Sequence, residues 1–439
     1  MSVRPPAVAT DNPLNARPLT GRQLVVLILV ISLAALDGFD TLSMAFVAPV
    51  LSHQWGLGKG VIGLLLSSGL VGMAIGSLAL APLADKIGRK PLLLASLTLM
   101  SAGSAMSSIA SGVTVLAASR IATGIGIGTM IVLTTLLSSE FSNARRRPLV
   151  IAAVATVGLP LGGVLGGLAS SFLLRVSGWP SVFLSGAIVG ALMLPILAAL
   201  LPESPAFLAA RRSDGALARL NAVLLRLGHP AVAQQPDEPD HRRSHYRELF
   251  APDVRSTTLR LVVVNVLIAT AAYYVANWLP QIVSDAGLTP AAGSFVSATS
   301  TLIGLTGGAV MGLLAGRYPS TRLAMLSMAG MAAGIAAIGF VPASLAMFVA
   351  AGAGYYFFQS GTTGIFYGIV ATSFQPLVRA SGIGLVMGIG RITSAIAPAI
   401  AGWMFASGAT RGEVSFIFAL GPMTAAALML RTRSKPAKS

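Results

Sequence analysis

The sequence has no cysteine and few charged residues for its length. Among 439 residues only 10% are Asp, Glu, Lys or Arg, whereas a soluble domain has about 25%. The absence of cysteine excludes disulfides and thiolate metal sites. Aromatic residues are also scarce, at 6%, so a local cluster of them is informative. Hydrophobic residues make up 54% of the chain, and together these proportions indicate a protein embedded in a membrane.

Twelve apolar segments are long enough to cross a bilayer, which takes about 20 residues each. They fall into two sets of six, separated by one long polar stretch. The first apolar run is too long for a signal peptide. We therefore predict an all-α membrane protein with twelve transmembrane helices in two six-helix halves. The predicted parts are a tail (1–22), a first bundle (23–201), a linker (202–257), a second bundle (258–430) and a tail (431–439).

The distribution of positive charge predicts the orientation of the chain. The net charge is +16, with 30 Lys and Arg residues. If both termini and the linker are cytoplasmic, most of these residues lie on the cytoplasmic side, as the positive-inside rule requires. The basic character is thus explained by topology and anionic lipid rather than by nucleic acid. We expect a multi-pass protein of the bacterial inner membrane, with both termini cytoplasmic, and a monomer.

An internal repeat relates the two halves at an offset of 231 residues. Pro49 matches Pro280, and Gly76 matches Gly307 at the same offset. The register holds across two consecutive predicted helices without a gap. Two parallel halves related in this way are typical of a secondary transporter, whose site lies at the membrane midplane between them. A channel is less favoured, because no filter-like segment repeats.

Five sequence motifs resemble those of the major facilitator superfamily. They are "LADKIGRK" (83–90), "RIATGIGIG" (120–128), "LPESPAFL" (201–208), "DGFD" (37–40) and "GIGRITSAIAPAIAG" (388–402). The last two resemble the aromatic acid:proton symporter family of that superfamily in particular. The resemblance covers nearly the whole chain and implies the twelve-helix fold of that superfamily.

The loop motif departs from the family at two positions. Position 81 is Ala, where the family usually has Gly, and Gly316 in the second half replaces the usual Asp. The loop carboxylate therefore occurs only once, as Asp85. Together with Arg89, Asp85 lies at a helix end, where a carboxylate can form an ion pair in one conformation and release it in another. We predict gating roles for these two residues, with a plain basic loop as the alternative.

Two acids lie in the middle of the first apolar segment. One carboxylate at the bilayer centre costs roughly 2.5–3.5 kcal/mol, so Asp37 and Asp40 need a reason to be there. Residues i and i+3 share a helix face, and two neighbouring carboxylates cannot both ionise cheaply in low dielectric. Their repeat counterparts, Ile268 and Ala271, are apolar. The sequence predicts that the acids couple transport to protons; a structural salt bridge with an arginine is the alternative.

Two arginines lie inside predicted spans. Arg391 is near the middle of its segment, too deep to reach the headgroups easily. We predict that it binds a substrate carboxylate, and that it pairs with the first-helix acids when substrate is absent. Arg120 lies about two turns from the outer end of its helix. It is a second candidate for substrate binding, and snorkelling to the interface is its alternative.

Aromatic and amide side chains cluster in the seventh and tenth segments. Their ring faces and edges suit a flat aromatic solute, although ordinary helix packing or an interfacial belt would also explain them. The predicted substrate-binding residues here are Tyr273, Asn277, Trp278, Tyr355, Tyr356 and Gln359.

The resulting prediction is a proton symporter that imports a small organic anion. The expected substrate is an aromatic carboxylate, such as a hydroxybenzoate, or a related ring-cleavage acid or lactone. The alternatives are a proton-coupled exporter or drug antiporter of the same fold, and a non-transporting membrane sensor. An enzyme is not expected, because no nucleophile–base or metal-ligand pattern is present. No cofactor and no metal are expected either.

Overall fold

The computed structural model describes most of the chain, in residues 14–211, 215–235, 246–252, 254–375 and 378–430. The predicted tail at 431–439, most of the tail at 1–22 and the middle of the linker lie outside these residues. The regular structure of the described parts is helical.

The first half contains six membrane-length helical spans. Its helices are α1 (Gly21–Gln54), α2 (Lys59–Ile75), α3 (Ala84–Ile87), α4 (Arg89–Ser108), α5 (Val113–Glu140), α6 (Arg147–Ala153), α7 (Leu159–Val176) and α8 (Pro180–Leu200). A π-helical segment and a 3₁₀ turn connect α2 to α3. Another π-helical segment joins α6 to α7. Each of these joined pairs therefore forms a single span.

The second half contains six long helices after a partly helical linker. The linker helices are α9 (Pro205–Ala210) and α10 (Ala216–Arg226). The long helices are α11 (Arg255–Asp285), α12 (Pro290–Ala315), α13 (Ser320–Phe340), α14 (Leu345–Ser373), α15 (Arg379–Ala406) and α16 (Arg411–Leu430).

Ten helical spans in the described chain are long and apolar enough to cross a membrane. Two further helices, α4 and α14, have 20 and 29 residues but are less apolar. Serines lower the hydropathy of α4, and glycines, threonines and tyrosines lower that of α14. Both pack inside their own half, α4 against α5 and α8, and α14 against α12 and α13. The predicted twelve-helix architecture is confirmed.

The repeat seen in the sequence corresponds to equivalent packing in the two halves. A Cβ atom on Gly76, which follows α2, would collide with the carbonyl oxygen of Ile125 in α5. A Cβ atom on its repeat partner Gly307 in α12 would collide with the carbonyl oxygen of Phe357 in α14. The second span of each half thus approaches the fourth at a position where only glycine leaves room.

The two halves contact each other mainly on the side of the molecule that is opposite to the linker. There α2 packs against α15, and the Ser67 hydroxyl accepts a hydrogen bond from the backbone N–H of Ala399 at 3.0 Å. On the other flank α7 packs against α12, where a Cβ on Gly167 would lie 2.9 Å from the Cβ of Ala298. These contacts close the space between the halves on the side of the molecule opposite to the linker.

The described part of the linker up to residue 235 is attached to the first half. Thr20 and Gln23 form a capping box that begins α1. The Thr20 hydroxyl also donates to the carbonyl oxygen of Leu227 at 2.6 Å. His229 contacts the Gln23 side-chain oxygen at 2.9 Å, and Gln23 donates to the carbonyl oxygen of Phe141 at 3.0 Å. The start of α1, the end of α5 and the segment after α10 are therefore held together on one side of the molecule.

Candidate functional site

A cavity of about 110 Å³ lies between the two halves. Its wall is formed by both halves: Thr41, Leu70, Met73, Ala74, Gly128, Ile131 and Leu159 come from the first, and Tyr273, Arg391 and Ser394 come from the second. The position agrees with the site predicted from the two-half architecture. We call this space the central cavity.

Arg391 contributes the positive charge of the central cavity. The residue is exposed although it lies in the middle of α15, because it faces this space. No ion pair joins it to an acid among the residues that the structure describes. The predicted pairing with the first-helix acids is not observed, since Asp37 and Asp40 are fully buried inside the first half. The guanidinium of Arg391 is therefore available to an anion in the cavity.

The two acids of α1 are buried without enough hydrogen-bond donors. Asp37 and Asp40 are both 0% exposed. One carboxylate oxygen of Asp40 accepts a hydrogen bond from the Ser104 hydroxyl of α4 at 2.8 Å. The other oxygen of Asp40 and both oxygens of Asp37 have no donor in the described part of the chain. An ionised carboxylate in this position is costly, because burial removes its hydration without replacing it.

Arg120 is the cation next to these acids. It is 2% exposed, so the alternative that it snorkels to the membrane interface is wrong. Its Nη2 atom donates to the backbone carbonyl oxygen of Asp40 at 2.7 Å. Its guanidinium carbon lies 5.2 Å from the centre of the Phe183 ring in α8, at the distance of a cation–π contact. The Nε and Nη1 atoms have no hydrogen-bond acceptor among the described residues.

The three site candidates of α11 have different surroundings. Tyr273 lines the central cavity, as predicted. Trp278 is fully buried, and its Nε1 atom donates to the carbonyl oxygen of Pro398 at 3.0 Å. Asn277 is also buried and donates to the carbonyl oxygen of Tyr273 at 2.9 Å within its own helix. Trp278 and Asn277 therefore stabilise helix packing and do not line the cavity.

The three candidates of α14 lie away from the cavity wall. Tyr355 is 1% exposed, and its ring meets that of Tyr356 edge-on with centroids 4.9 Å apart. Tyr356 packs against Gly304 of α12. Gln359 donates to the Thr363 hydroxyl one turn along the same helix, at 3.3 Å. The packing alternative describes Tyr355 and Tyr356, because their rings contact each other and Tyr356 packs on α12, whereas Gln359 is half-buried and bonds within its own helix.

Three hydroxyl residues of the site were missed in the sequence. Thr41 and Ser394 line the central cavity, and Ser104 binds Asp40. Two of them could have been found from the sequence, because they lie close to predicted site residues. Thr41 follows Asp40 directly, and Ser394 comes one helical turn after Arg391. Ser104 carried none, since it is one of several serines on α4.

Comparison with known proteins agrees with this geometry. A family model described as "Sugar (and other) transporter" matches residues 26–430. A gallate transporter of Pseudomonas putida is 31% identical over 399 residues, which cover 90% of this chain and 88% of the relative. The chain belongs to the major facilitator superfamily. The 4-hydroxybenzoate transporter PcaK of Pseudomonas aeruginosa is 28% identical over 389 residues, covering 86% and 85% of the two chains.

A solved structure shows the same superfamily fold. The E. coli xylose transporter XylE, in a partially occluded inward-open conformation, superimposes with a TM-score of 0.72 at 18% identity. The match covers 94% of this chain and 98% of XylE. The family model and the relatives are all of transporters, so the chain is a secondary transporter and not an enzyme. The predicted resemblance to the aromatic acid family is confirmed.

The loop of this superfamily member carries a charge cluster on the linker side. Arg89 pairs with Asp85 at 3.1 Å and with Glu140 at the end of α5 at 3.0 Å. The Asp85 side chain is 77% exposed, whereas those of Arg89 and Glu140 are 10% and 9% exposed. The Arg89–Glu140 contact is therefore the stronger of the two, because water screens it less.

The loop glycine and the "LPESPAFL" motif complete this cluster. Gly88 has a φ of +103°, which favours glycine, and a side chain there would collide with Glu203. With this backbone conformation, the N–H groups of Arg89 and Lys90 donate to one carboxylate oxygen of Glu203, at 3.0 and 3.3 Å. The segment after α8 is thus fastened to the loop before α4.

Glu140→Gln is expected to impair the transporter more than Asp85→Asn. The first change leaves the nearly buried Arg89 cation without its main counter-charge, which destabilises by roughly 3 kcal/mol. The second breaks an exposed i,i+4 pair, for which about 0.5 kcal/mol is typical. Thermal unfolding in detergent and transport turnover measure the two effects. Substrate affinity should stay unchanged in each variant. Equal losses of stability and turnover in the two variants would contradict the conclusion that Arg89–Glu140 is the stronger pair.

An ion pair joins the halves on the side of the molecule opposite to the linker. Lys59 at the start of α2 contacts Asp285 at the end of α11 at 2.6 Å, and Gln281 also donates to Asp285 at 2.8 Å. Both charged side chains are about one-third exposed. The pair therefore adds to the closure of this side, by an amount typical of surface pairs, about 0.5 kcal/mol.

We expect Asp285→Asn to open the side opposite to the linker about twofold more often. Loss of an ion pair worth about 0.5 kcal/mol changes the ratio of open to closed molecules by about this factor. The chain has no cysteine, so a Ser67→Cys reporter between α2 and α15 can be labelled without background. We expect the thiol to react about twofold faster in the Asp285→Asn background. The charge swap Lys59→Asp with Asp285→Lys should restore the slower rate. An unchanged rate in the single variant would show that the pair does not contribute to closure.

Proposed function

We propose that this transporter imports a small aromatic carboxylate together with protons. Relatives along most of the chain carry the names gallate transporter and 4-hydroxybenzoate transporter. The observation that carries the proposal is Arg391, a cation without a carboxylate partner in the described structure, in the wall of a cavity between the halves. Its planar guanidinium can hold a carboxylate through two parallel hydrogen bonds.

The other groups of the cavity suit an aromatic ring with hydroxyl substituents. Tyr273 supplies a ring and a hydroxyl group, and Thr41 and Ser394 supply hydroxyls. Leu70 and Met73 supply apolar surface on the first-half side. A flat ring can pack against these apolar groups while its carboxylate faces Arg391. A mostly apolar wall with one charged group and a few polar groups is the usual composition of a small-molecule site.

The acids of α1 are proposed to carry the protons. Asp37 and Asp40 are buried, and three of their four oxygens have no donor in the described structure. This environment favours the neutral, protonated form, and the nearby cation Arg120 offsets the cost of the ionised one. A proton also compensates the charge of the substrate, whose entry against an inside-negative potential costs about 2.3 kcal/mol per charge per 100 mV.

The side that carries the linker is proposed to face the cytoplasm of a bacterial inner membrane. The loop basic residues Lys86 and Lys90 and the run at 145–147 lie on this side, in agreement with the positive-inside rule. The contacts between the halves close the side opposite to the linker. With the linker side in the cytoplasm, the conformation is therefore inward-facing. Release of the Asp85–Arg89–Glu140 cluster and closure of that side would accompany reorientation. We propose that one chain performs the whole cycle.

Uptake of radiolabelled acids into cells tests the proposal. Hydroxylated benzoates are compared with unsubstituted benzoate, with ring-cleavage acids and with lactones, each with and without a protonophore. The proposal expects accumulation of at least one aromatic carboxylate that the protonophore abolishes. Efflux from preloaded cells without uptake would identify an exporter instead, and uptake that is insensitive to the protonophore would exclude proton symport.

A further inference from the structure

Three cations from three different segments meet at the linker-side end of α8. Lys90, the second residue of α4, donates from Nζ to the carbonyl oxygen of Ala198 at 2.7 Å. Arg226, the last residue of α10, donates from Nη2 to the carbonyl oxygen of the next residue, Ala199. Arg22, the second residue of α1, donates to the carbonyl oxygen of Arg226 at 2.8 Å. We call these three cations the basic corner.

The charge of the basic corner is not balanced by acids of the chain. Lys90 and Arg226 reach the carbonyl groups of adjacent residues, so their positive charges lie side by side and repel each other. No ion pair joins any of the three cations to an acid in the described part of the chain. Glu203 attracts Lys90, but its carboxylate accepts hydrogen bonds from three backbone N–H groups instead. The corner therefore has an excess of positive charge.

Most hydrogen-bond donors of the basic corner are unused. An ammonium group has three N–H donors and a guanidinium group has five. Within the described residues, each of the three side chains makes one hydrogen bond, and all three bonds lie at exposed positions. An anion with several acceptor oxygens can therefore bind to the corner without displacing the existing contacts.

The basic corner lies where the spans reach the membrane surface. Helices α1 and α4 begin here, and the membrane-length helix α8 ends here. Because the apolar part of a span fills the hydrocarbon core, the residues at its end lie at the level of the lipid headgroups. The excess positive charge is thus placed at the depth of the lipid phosphates.

An apolar surface continues from the basic corner along the outside of α8. Leu192, Ile196 and Leu200 follow one another at intervals of four residues, so they share one face of the helix, and all three are exposed. Leu225, which precedes Arg226 in the linker helix, is exposed as well. On a membrane-spanning helix such a face contacts lipid chains. A cationic end and an apolar face together match the two parts of a lipid molecule.

We propose that the basic corner binds the headgroup of an anionic phospholipid, whose chains lie along this face of α8. The phosphate oxygens accept charge-assisted hydrogen bonds from the three cations, and the negative charge balances their repulsion. The bound lipid then connects α1, α4 and the linker helix. A simpler role, capping of the α8 carboxyl end, explains Lys90 and Arg226 but not Arg22, which bonds to the linker. The inference does not depend on the transported substrate or on protons.

Binding of phosphatidylglycerol to the purified protein, measured by native mass spectrometry, tests the site. We expect the double variant Lys90→Gln, Arg226→Gln to bind this lipid about thirtyfold more weakly than the wild type, because each cation near an anionic headgroup contributes about fivefold. Zwitterionic phosphatidylcholine should bind more weakly than phosphatidylglycerol to the wild type. The matched control is Arg317→Gln, Arg322→Gln, which removes two exposed cations between α12 and α13 and should keep the wild-type affinity.

Three results would overturn the proposal. The first is wild-type affinity for phosphatidylglycerol in the Lys90→Gln, Arg226→Gln variant, which would leave capping of α8 as the role of these cations. The second is an equal loss in the control variant, which would show a general attraction to the basic side. The third is displacement of the lipid by an equal concentration of inorganic phosphate, which would identify a site for free anions.

Arg22→Gln gives a second test if the double variant fails to fold. The side chain is exposed in the first turn of α1, and it contacts neither α4 nor α8 through a hydrogen bond in the described structure. We expect about fivefold weaker binding of phosphatidylglycerol in this variant. Wild-type affinity would overturn the assignment of a headgroup site shared by the three segments.

Discussion

Asp40→Asn is expected to abolish accumulation of substrate against its concentration gradient. Asparagine has the shape of the protonated acid but cannot release a proton, so the coupling step is lost. The loss in proton-driven accumulation should be at least about a hundredfold. Downhill exchange of labelled for unlabelled substrate should continue, because the amide imitates the neutral form that the site favours when Asp40 is buried. Uptake and exchange in proteoliposomes, with and without a proton gradient, measure the two reactions.

Two variants are suitable controls for this result. Ser104→Ala removes the 2.8 Å hydrogen bond to Asp40 but keeps the acid, so accumulation should fall by less than tenfold. Glu413→Gln changes an exposed acid at the start of α16 and should leave transport unchanged. Proton-driven accumulation at the wild-type level in Asp40→Asn would show that this acid does not couple. Asp37→Asn, whose oxygens have no donor in the described structure, would then identify the carrier.

Arg391→Lys is expected to weaken substrate binding by tenfold to a hundredfold, corresponding to about 1.4–2.8 kcal/mol. Lysine keeps the positive charge but lacks the planar fork that holds both carboxylate oxygens. Because Arg391 faces the cavity and is exposed, the change should leave folding and membrane level intact. Equilibrium binding of the best substrate from the uptake panel, measured on purified protein, gives the affinity.

The matched control is Arg379→Lys, on the same helix. Arg379 is also exposed, and it donates to the carbonyl oxygen of Phe374 at the linker-side end of α15, away from the cavity. This variant should bind with wild-type affinity. Unchanged affinity in Arg391→Lys would place the anion elsewhere, and Arg120 would be the next residue to test. A loss in both variants would point to a general effect of the positive charge on α15.

The architecture was readable from the sequence because it depends on local and additive properties. Apolar length predicts spans, basic loops predict sidedness, and the matching of Gly76 with Gly307 predicts that the two halves pack alike. The acids of α1 were also readable as functional, since a carboxylate in a span is costly wherever the neighbouring helices lie.

The partners of these groups were decided by the tertiary structure. Asp40 contacts Arg120 of its own half, while Arg391 faces the cavity, because the rotation of each helix follows from its packing against neighbours distant in sequence. The rotation of α11 also gives Tyr273 and Trp278 different surroundings. Five residues turn a helix by about 140°, so one side chain lines the cavity and the other packs against Pro398 of α15. The cavity itself exists only where residues some 350 positions apart, such as Thr41 and Arg391, meet across the two halves.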